Sequence, residues 1–410
     1  MRLLVYEHVS GGGFADESIP ADILSEGFGM LSTVISDFKA AGHNITTTLD
    51  SRIARINPPI DANCVVPVFS LHESQVNIHK FAESADAVYV IAPEIGGVLQ
   101  SLVELIEQMG AASLNCLSCG IEKVSDKMAF YEFMRKLKLP LPEIMIFPVV
   151  EDLKEIKKAI SRRLTFPVIF KPSNGVSCIG LSVVRNKEQV AGAVDKIKML
   201  SSSKHFLVQE LIKGVAASVS LFSTGSNAVS VSLNRQDVTI ETPENCSRYR
   251  GGVVPFGHPL ETKAFEVAEK IVKSVPDLRG YVGIDFVLTE DEAVTIEVNP
   301  RLTTSYVGLR SVINFNPAQA MVNAVLNREL PTQVESCGCT VFSKVETPKP
   351  TMSAFQETRR MDEVISPPFP ISESTVTSAL ITSHGTTLKE ASTKFREAKK
   401  RVLNTISRGK

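Results

Sequence analysis

Two acids stand where a short hairpin would set them face to face. The segment from Tyr281 to Arg301 reads YVGIDFVLTEDEAVTIEVNPR. Val282, Ile284, Phe286 and Leu288 share one face at period two, and Val294, Ile296 and Val298 share another, with a polar turn between them. Pairing Leu288 with Val294, Phe286 with Ile296 and Ile284 with Val298 buries apolar against apolar, and a one-residue slip would mismatch the faces. That register puts Asp285 opposite Glu297 and Gly283 opposite Asn299. Facing carboxylates repel and destabilise a sheet, unless a cation sits between them. Asp285, Glu297 and the amide oxygen of Asn299 are hard oxygen ligands of the kind magnesium takes, together with substrate phosphates. A solvated polar face is the plain alternative. An Asp, a Glu, an Asn and Arg301 gathered on one hairpin face favour the metal.

A second group of residues suits phosphate. Phe166 to Gly180 (FPVIFKPSNGVSCIG) sets Lys171 at the end of an apolar strand, where its charge needs a partner. A loop of small residues follows, including Ser173, Gly175, Ser177 and Gly180, whose backbone N–H groups can cradle anionic oxygens. The lysine precedes the glycines, so this is not a Walker loop. Lys127 sits in the first turn of a helix, where the helix end already favours anions. Phe206 to Gly214 (FLVQELIKG) ends another apolar strand with Gln209 and Glu210, offering backbone groups and an acceptor to a purine amine. Taken singly, each of these also reads as an ordinary surface lysine, hairpin or strand end.

The elements around them alternate. Residues 2–9 read as a buried strand, followed by Gly11-Gly12-Gly13 and a helix whose stripe is Ile23, Leu24, Phe28, Leu31, Val34, Ile35 and Phe38, ended by Gly42. Further strands at 44–49 and 86–92 and a helix to about Met109 imply a parallel, doubly wound sheet. The glycine triplet is not a G-x-G-x-x-G and marks only a tight turn or close approach. Beyond it, a helix over 125–138, strands at 166–172, 206–211, 217–222 and 228–233, and the hairpin give an antiparallel character. Residues 241–259 read as a long irregular loop, 346–352 as a proline-punctuated linker, and the tail as one strand (376–381) and one helix (388–406).

The 410 residues suggest two to four domains. Net charge is −1, so nucleic acid is not an expected partner. No run is apolar enough to span a membrane or serve as a signal peptide. Seven cysteines at irregular spacings fit a reducing cytoplasm rather than a disulfide framework. Cys116-x-x-Cys119 and Cys337-x-Cys339 could in principle make a four-cysteine zinc site, but the Cys-x-Cys spacing departs from such sites, and they read as buried or incidental thiols.

The order of these pieces is lysine at a helix start, lysine before a glycine loop, Gln-Glu strand end, then Asp and Glu-x-Asn-Pro-Arg. In that order the sequence resembles the ATP-grasp superfamily of carboxylate–amine ligases from about residue 1 to 345. Glu7-His-Val-Ser-Gly-Gly-Gly, Ile-Ala-Pro-Glu94, Tyr-Arg250-Gly-Gly-Val-Val-Pro and Asn-Pro-Arg-Leu-Thr-Thr-Ser305 are similar to the archaeal tyramine–glutamate ligases of methanofuran biosynthesis. The resemblance implies α/β and α+β architecture. It would comprise an N-terminal parallel αβ (pre-ATP-grasp) substrate domain over 1–120, an ATP-grasp lid over 121–205 and the metal-bearing subdomain over 206–345. A small C-terminal αβ extension over 346–410 would pack on the sheet or form a dimer contact.

It further implies ATP held by Lys127, Lys171, Ser173, Gly175, Ser177 and Gly180 at the phosphates and by Gln209, Glu210, Leu211 and Ile212 at the adenine. Mg²⁺, with Mn²⁺ able to substitute, would lie on Asp285, Glu297 and Asn299. Arg301 and Lys171 would be catalytic. Glu7, Glu94 and Arg250 would recognise the substrates, an acid suiting an amine and an arginine a second carboxylate. The family often has a ribose-binding Glu two residues after the glycine matching Gly214, and here that residue is Ala216. The implied reaction is ADP-forming amide synthesis in the cytoplasm from a small carboxylic acid and an amine, L-glutamate and tyramine. Alternatives are a bicarbonate-dependent carboxylase or carbamoyl-phosphate-like step, or a non-catalytic nucleotide binder. A homodimer is one arrangement consistent with related folds.

Overall fold

A computed structural model describes residues 1–175, 178–371 and 374–408. The first sheet holds β1 (Arg2–Glu7), β2 (Asn44–Asp50), β3 (Cys64–Val68) and β4 (Ala87–Ile91) in the order β3-β2-β1-β4, all parallel. The runs Leu3–Tyr6 and Ala87–Ile91 are buried throughout, as expected of central strands covered on both faces. The helix Ala21–Ala40 lays the expected stripe, Leu24 to Phe38, into the core. Cys64–Val68 and the helix Leu71–Ser84 go unmarked in the sequence reading, because CVVPV is short, half-exposed and interrupted by Pro67.

The second sheet is antiparallel, in the order β5-β8-β6-β7: β5 (Ile144–Pro148), β6 (Val168–Pro172), β7 (Ser182–Val184) and β8 (His205–Glu210). It therefore draws in a strand from beyond residue 205. The helix expected over 125–138 is two helices, Ser118–Ser125 and Lys127–Lys136, joined at Asp126. The Asp126 carboxylate caps the second by accepting from the N–H groups of Met128 (2.9 Å) and Ala129 (3.2 Å).

Eight strands form the third sheet, in the order β13-β12-β9-β10-β11-β14-β16-β15. Its members are β9 (Val215–Thr224), β10 (Ala228–Thr239), β11 (Arg248–Val254), β12 (Arg279–Leu288), β13 (Ala293–Asn299), β14 (Cys339–Pro348), β15 (Val364–Ser366) and β16 (Val376–Gly385). Two expectations are corrected here. The middle of the supposed loop over 241–259 is β11, an interior strand. Its Gly251-Gly252 step, which hides the periodicity, is required by packing: a Cβ at Gly251 would lie 2.1 Å from the Phe342 carbonyl oxygen. The supposed linker at 346 begins inside β14, which pairs with β16 from Cys339↔Gly385 to Pro348↔Val376. The tail thus packs as part of this sheet rather than beside it.

The helix Ala21–Ala40 ties the sheets together. Phe28 packs with Phe355, Phe369 and Leu380 of the tail in one buried cluster. Its Asp37 accepts from the Tyr306 hydroxyl (2.9 Å) and pairs with Arg310 (2.8 Å). Among the described residues no helix is long and apolar enough to cross a membrane.

Candidate active site

The acids meet as their spacing requires. Asp285 pairs with Glu297 and Gly283 with Asn299 across β12 and β13. Below that pair the register differs from the expected one. Ile296 is looped out as a bulge, so Phe286 faces Thr295 and Leu288 faces Ala293. The alternation of Val294, Ile296 and Val298 reads straight through the bulge, and so conceals it.

Asp285 Oδ1 accepts from Gln236 Nε2 at 2.9 Å, and Oδ2 accepts from Asn299 Nδ2 at 3.2 Å. Burial first, and then the Glu297 charge, push the Asp285 carboxyl up to about 7 despite those bonds. An acid so disfavoured as an anion, facing a second acid, is a place where a divalent cation relieves repulsion. The donor set fits magnesium: two carboxylates and one amide oxygen, with positions left for phosphate and water.

The lysines arrive from the other sheet by strand alternation. Val168 and Phe170 of β6, and Phe206 and Val208 of β8, point into a dry core against the helices Leu153–Arg163 and Val190–Leu200. Lys171 and Gln209, one residue out of phase, therefore face the opposite side. There Lys171 Nζ donates to the Tyr131 hydroxyl at 3.1 Å and lies 5.3 Å from the ring centroid. Burial pulls the lysine down to about 8, partly offset by Glu297. The same hydroxyl lies 3.1 Å from Gln209 Oε1 and 3.2 Å from the Ile296 carbonyl, and its one proton serves either. Lys127, one helical turn before Tyr131, reaches the Gly175 carbonyl (3.3 Å) and Glu297 (3.6 Å). Both lysines thus feel the charge of Glu297, which also raises Asp285 opposite it.

These groups surround a cavity of about 330 Å³. Lys127, Lys171, Gly175, Gln209, Leu211 and Ile212 border it from one side, and Asp285, Glu297, Asn299 and Arg301 from the other. Ala216 also lines it, beside apolar Ile169 and Val287. Ser173, Gly180 and Glu210 do not: Glu210 is exposed, and its carboxylate accepts from the Glu143 N–H at 3.3 Å. Ser177 lies outside the described residues.

The three substrate candidates separate. Glu7 borders the cavity, but its carboxylate is committed to its own turn, accepting from Val9 N (3.0 Å), Ser10 N (2.6 Å) and Ser10 Oγ (2.6 Å). Glu94 forms a buried ion pair with Arg301, Nε to Oε2 at 2.9 Å, and so fixes that guanidinium beside the acids. Arg250 is exposed on β11, donating to Thr239 Oγ1 at 3.2 Å, away from the cavity. Sequence reasoning missed Tyr131 and Gln236, which sit inside an ordinary helix and strand. It also missed Glu26, a cavity-lining acid on the helix Ala21–Ala40.

Known families and proteins match this chain in sequence and in fold. Residues 43–121 match the pre-ATP-grasp domain family and residues 124–305 the ATP-grasp domain family. The chain is 28% identical to the tyramine–L-glutamate ligase of Methanocaldococcus fervens, over 81% of this chain and 97% of that one. It is likewise 28% identical to the Methanocaldococcus jannaschii enzyme of the same name, over 81% and 92%. In structure it is similar to biotin carboxylase of Campylobacter jejuni in an ATP complex (TM-score 0.70, 15% identity, 99% and 95% covered). It is also similar to N5-carboxyaminoimidazole synthase of Aspergillus clavatus with ADP (TM-score 0.67, 16% identity, 99% and 98% covered).

Proposed function

Because the chain belongs to the ATP-grasp superfamily and is an ATP-dependent ligase, we propose that it joins L-glutamate to tyramine through an acyl phosphate, in the biosynthesis of a methanofuran-type cofactor. The substrate pair rests on the two relatives matched over nearly their whole length. The observation that carries the chemistry is the convergence of Asp285, Glu297, Lys127, Lys171 and Arg301 on one cavity.

A carboxylate resists an amine because oxide is a poor leaving group. In the first step a carboxylate oxygen bonds to the γ-phosphorus of ATP and the bond to ADP breaks. In the second the amine nitrogen attacks the acyl carbon, phosphate leaves with the bonding pair, and the nitrogen loses a proton. Both transition states spread negative charge over oxygens, so fixed positive groups dominate the rate. Lys127 and Lys171 bind the phosphates, and Arg301, held by Glu94, steadies the phosphoryl group and then the tetrahedral oxygen. Magnesium on Asp285, Glu297 and Asn299 would neutralise phosphate charge. Leu211, Ile212 and Ile169 offer the adenine an apolar slot, and closure of the second sheet over the cavity keeps water from the acyl phosphate.

The test is ADP and phosphate release with a panel of acid–amine pairs, with product masses. Release that requires both L-glutamate and tyramine, with the mass of their amide, is the expected result. Release with bicarbonate alone would replace this reading with a carboxylase-like one. Glu297→Gln should lower turnover by roughly 100-fold or more. A protein that keeps both nucleotide affinity and its full rate after that change does not use this centre.

A further inference from the structure

Tyr131 touches the catalytic groups from behind the cavity wall. It is buried, and it does not border the space that Lys127, Lys171, Gln209, Ile296 and Glu297 surround. Among the described residues its hydroxyl is the one hydrogen-bond partner of the Lys171 ammonium. The other two N–H bonds of that ammonium stay available to anionic oxygens. The ammonium lies toward the hydroxyl end of the ring, 3.1 Å from Oη and 5.3 Å from the centroid. The phenol's own proton goes to Gln209 Oε1 at 3.1 Å or to the Ile296 carbonyl at 3.2 Å. Gln209 shares a sheet with Lys171, whereas Ile296 is the bulged residue beside Glu297 on the metal hairpin.

A core that only needed filling would be served by phenylalanine, because a buried hydroxyl costs desolvation that its hydrogen bonds only offset. The oxygen therefore asks for another explanation, and its place on the helix supplies one. Lys127 and Tyr131 stand four residues apart in the helix Lys127–Lys136, so they share a face. Lys127 reaches Glu297 directly from that face, and Lys171 is held from it through the hydroxyl. One turn of helix thus sets the spacing of two cations that come from different elements. Burial raises the phenol's pKa above the ordinary tyrosine range, so it stays neutral and can donate and accept at once. The charged groups that bear on it are Lys127 and Glu297, and Glu297 also bears on Lys171.

We propose that Tyr131 is a positioning residue of the phosphoryl-transfer centre. Its hydroxyl fixes the Lys171 ammonium relative to Lys127 and ties that lysine to the hairpin carrying Glu297. The lysine then meets the polyphosphate already aimed, rather than free to swing on its flexible four-carbon stem. Tyr131 acts through Lys171 and touches neither nucleotide nor substrate. The proposal rests on the ligase reading above for its chemistry, and on nucleotide binding alone for its geometry. It also gives the bulge at Ile296 a use, since bulges beside active sites redirect a strand's groups.

The test is Tyr131→Phe, which removes one oxygen and keeps the ring. Losing one hydrogen bond to a charged group should lower kcat/KM for ATP by roughly tenfold or more, leaving KM for amine and carboxylate within about twofold. The hydroxyl favours the charged lysine by accepting from it. Its loss should therefore also move the alkaline limb of kcat/KM for ATP to lower pH, by about half a pH unit or more. A part played only in packing would leave that limb in place. An unmoved limb, a shift confined to KM for amine or carboxylate, or a loss of thermal stability alone overturns the proposal. Where no acid–amine pair supports turnover, the ligase reading fails by itself. Calorimetry of a non-hydrolysable ATP analogue with Mg²⁺ across the same pH range then decides. Affinity that falls at lower pH in Tyr131→Phe than in wild type sustains the positioning role, and coincident curves end it.

Discussion

Lys171 makes a sharp prediction because it must carry its charge in a place that disfavours it. Burial lowers it from the ordinary 10.5 to about 8 in the nucleotide-free protein. The kcat/KM for ATP reports the free enzyme. Its alkaline limb should halve it near pH 8 and lower it roughly tenfold by pH 9, because only the ammonium form receives the phosphates, while protonation of Asp285 lowers it separately below about 7. Bound ATP restores a negative partner and raises the pKa, so kcat at saturating ATP should stay flat over the same range. Lys171→Arg keeps the charge, and its alkaline limb should vanish even if its plateau is lower. The stability sign follows from the same shift. A lysine whose folded pKa is depressed makes the folded state bind fewer protons. The cost is complete below about 8, declines as pH rises towards 10.5, and is gone above it. At neutral pH it amounts to roughly 3 kcal/mol. Lys171→Met should therefore stabilise the nucleotide-free protein near neutrality while abolishing thermal protection by ATP. The assays are initial rates at varied ATP with saturating co-substrates from pH 6 to 9.5, and thermal melts with and without nucleotide. An alkaline limb unchanged in Lys171→Arg, or a flat wild-type profile through pH 9.5, would refute the reasoning.

Two further outcomes follow from packing. Gly27→Ala places a methyl group 2.6 Å from Glu7 Oε1. The helix-propensity gain of up to about 1 kcal/mol is outweighed, and a net loss of about 1–3 kcal/mol is expected. Equal or greater resistance to denaturant in the variant would contradict it. Deleting residues 349–410 removes β16, the ladder partner of β14, together with Phe355 and Phe369 from the core. The product should aggregate through its bared strand edge, as soluble yield and gel filtration would show. A monomeric product that still binds ATP would show the tail to be dispensable.

The paired acids were legible in the sequence because strand alternation fixes faces, and opposed carboxylates are costly without a cation. Lys171 and Gln209 were legible for a related reason: each sits one position out of phase with a run of core residues. The bulge at Ile296 was not, since an extra apolar residue in an alternating strand leaves the pattern intact. β11 was hidden by glycines demanded by a neighbouring strand's carbonyl, a contact with Phe342 some ninety residues away. Glu7 and Glu94 carry the right chemistry for a substrate site. What redirects them is local in one case, a turn that donates three bonds to the Glu7 carboxylate, and distant in the other, the Arg301 guanidinium. Glu26 gave no signal, for one acid on an amphipathic helix is ordinary until β14 delivers Lys344 to it.

One face of the second sheet has its own apolar core, built among the described residues from residues between Met145 and Val208, while Ile144 and Leu207 of the other face join the main core. Several of its ties to the rest of the molecule are polar: Lys196 Nζ to the Asn245 carbonyl (2.6 Å), Ser247 Oγ to the Leu181 carbonyl (2.8 Å), and Val183 N–H to the Glu241 carbonyl (2.9 Å). Water can replace such bonds at little cost, whereas opening the core cannot be compensated that way. In an amide-exchange experiment the backbone N–H groups of β5 to β8 should accordingly lose protection together, as one cooperative block. They should do so with a lower opening free energy than the eight-stranded sheet, and nucleotide should slow that block in preference to the rest.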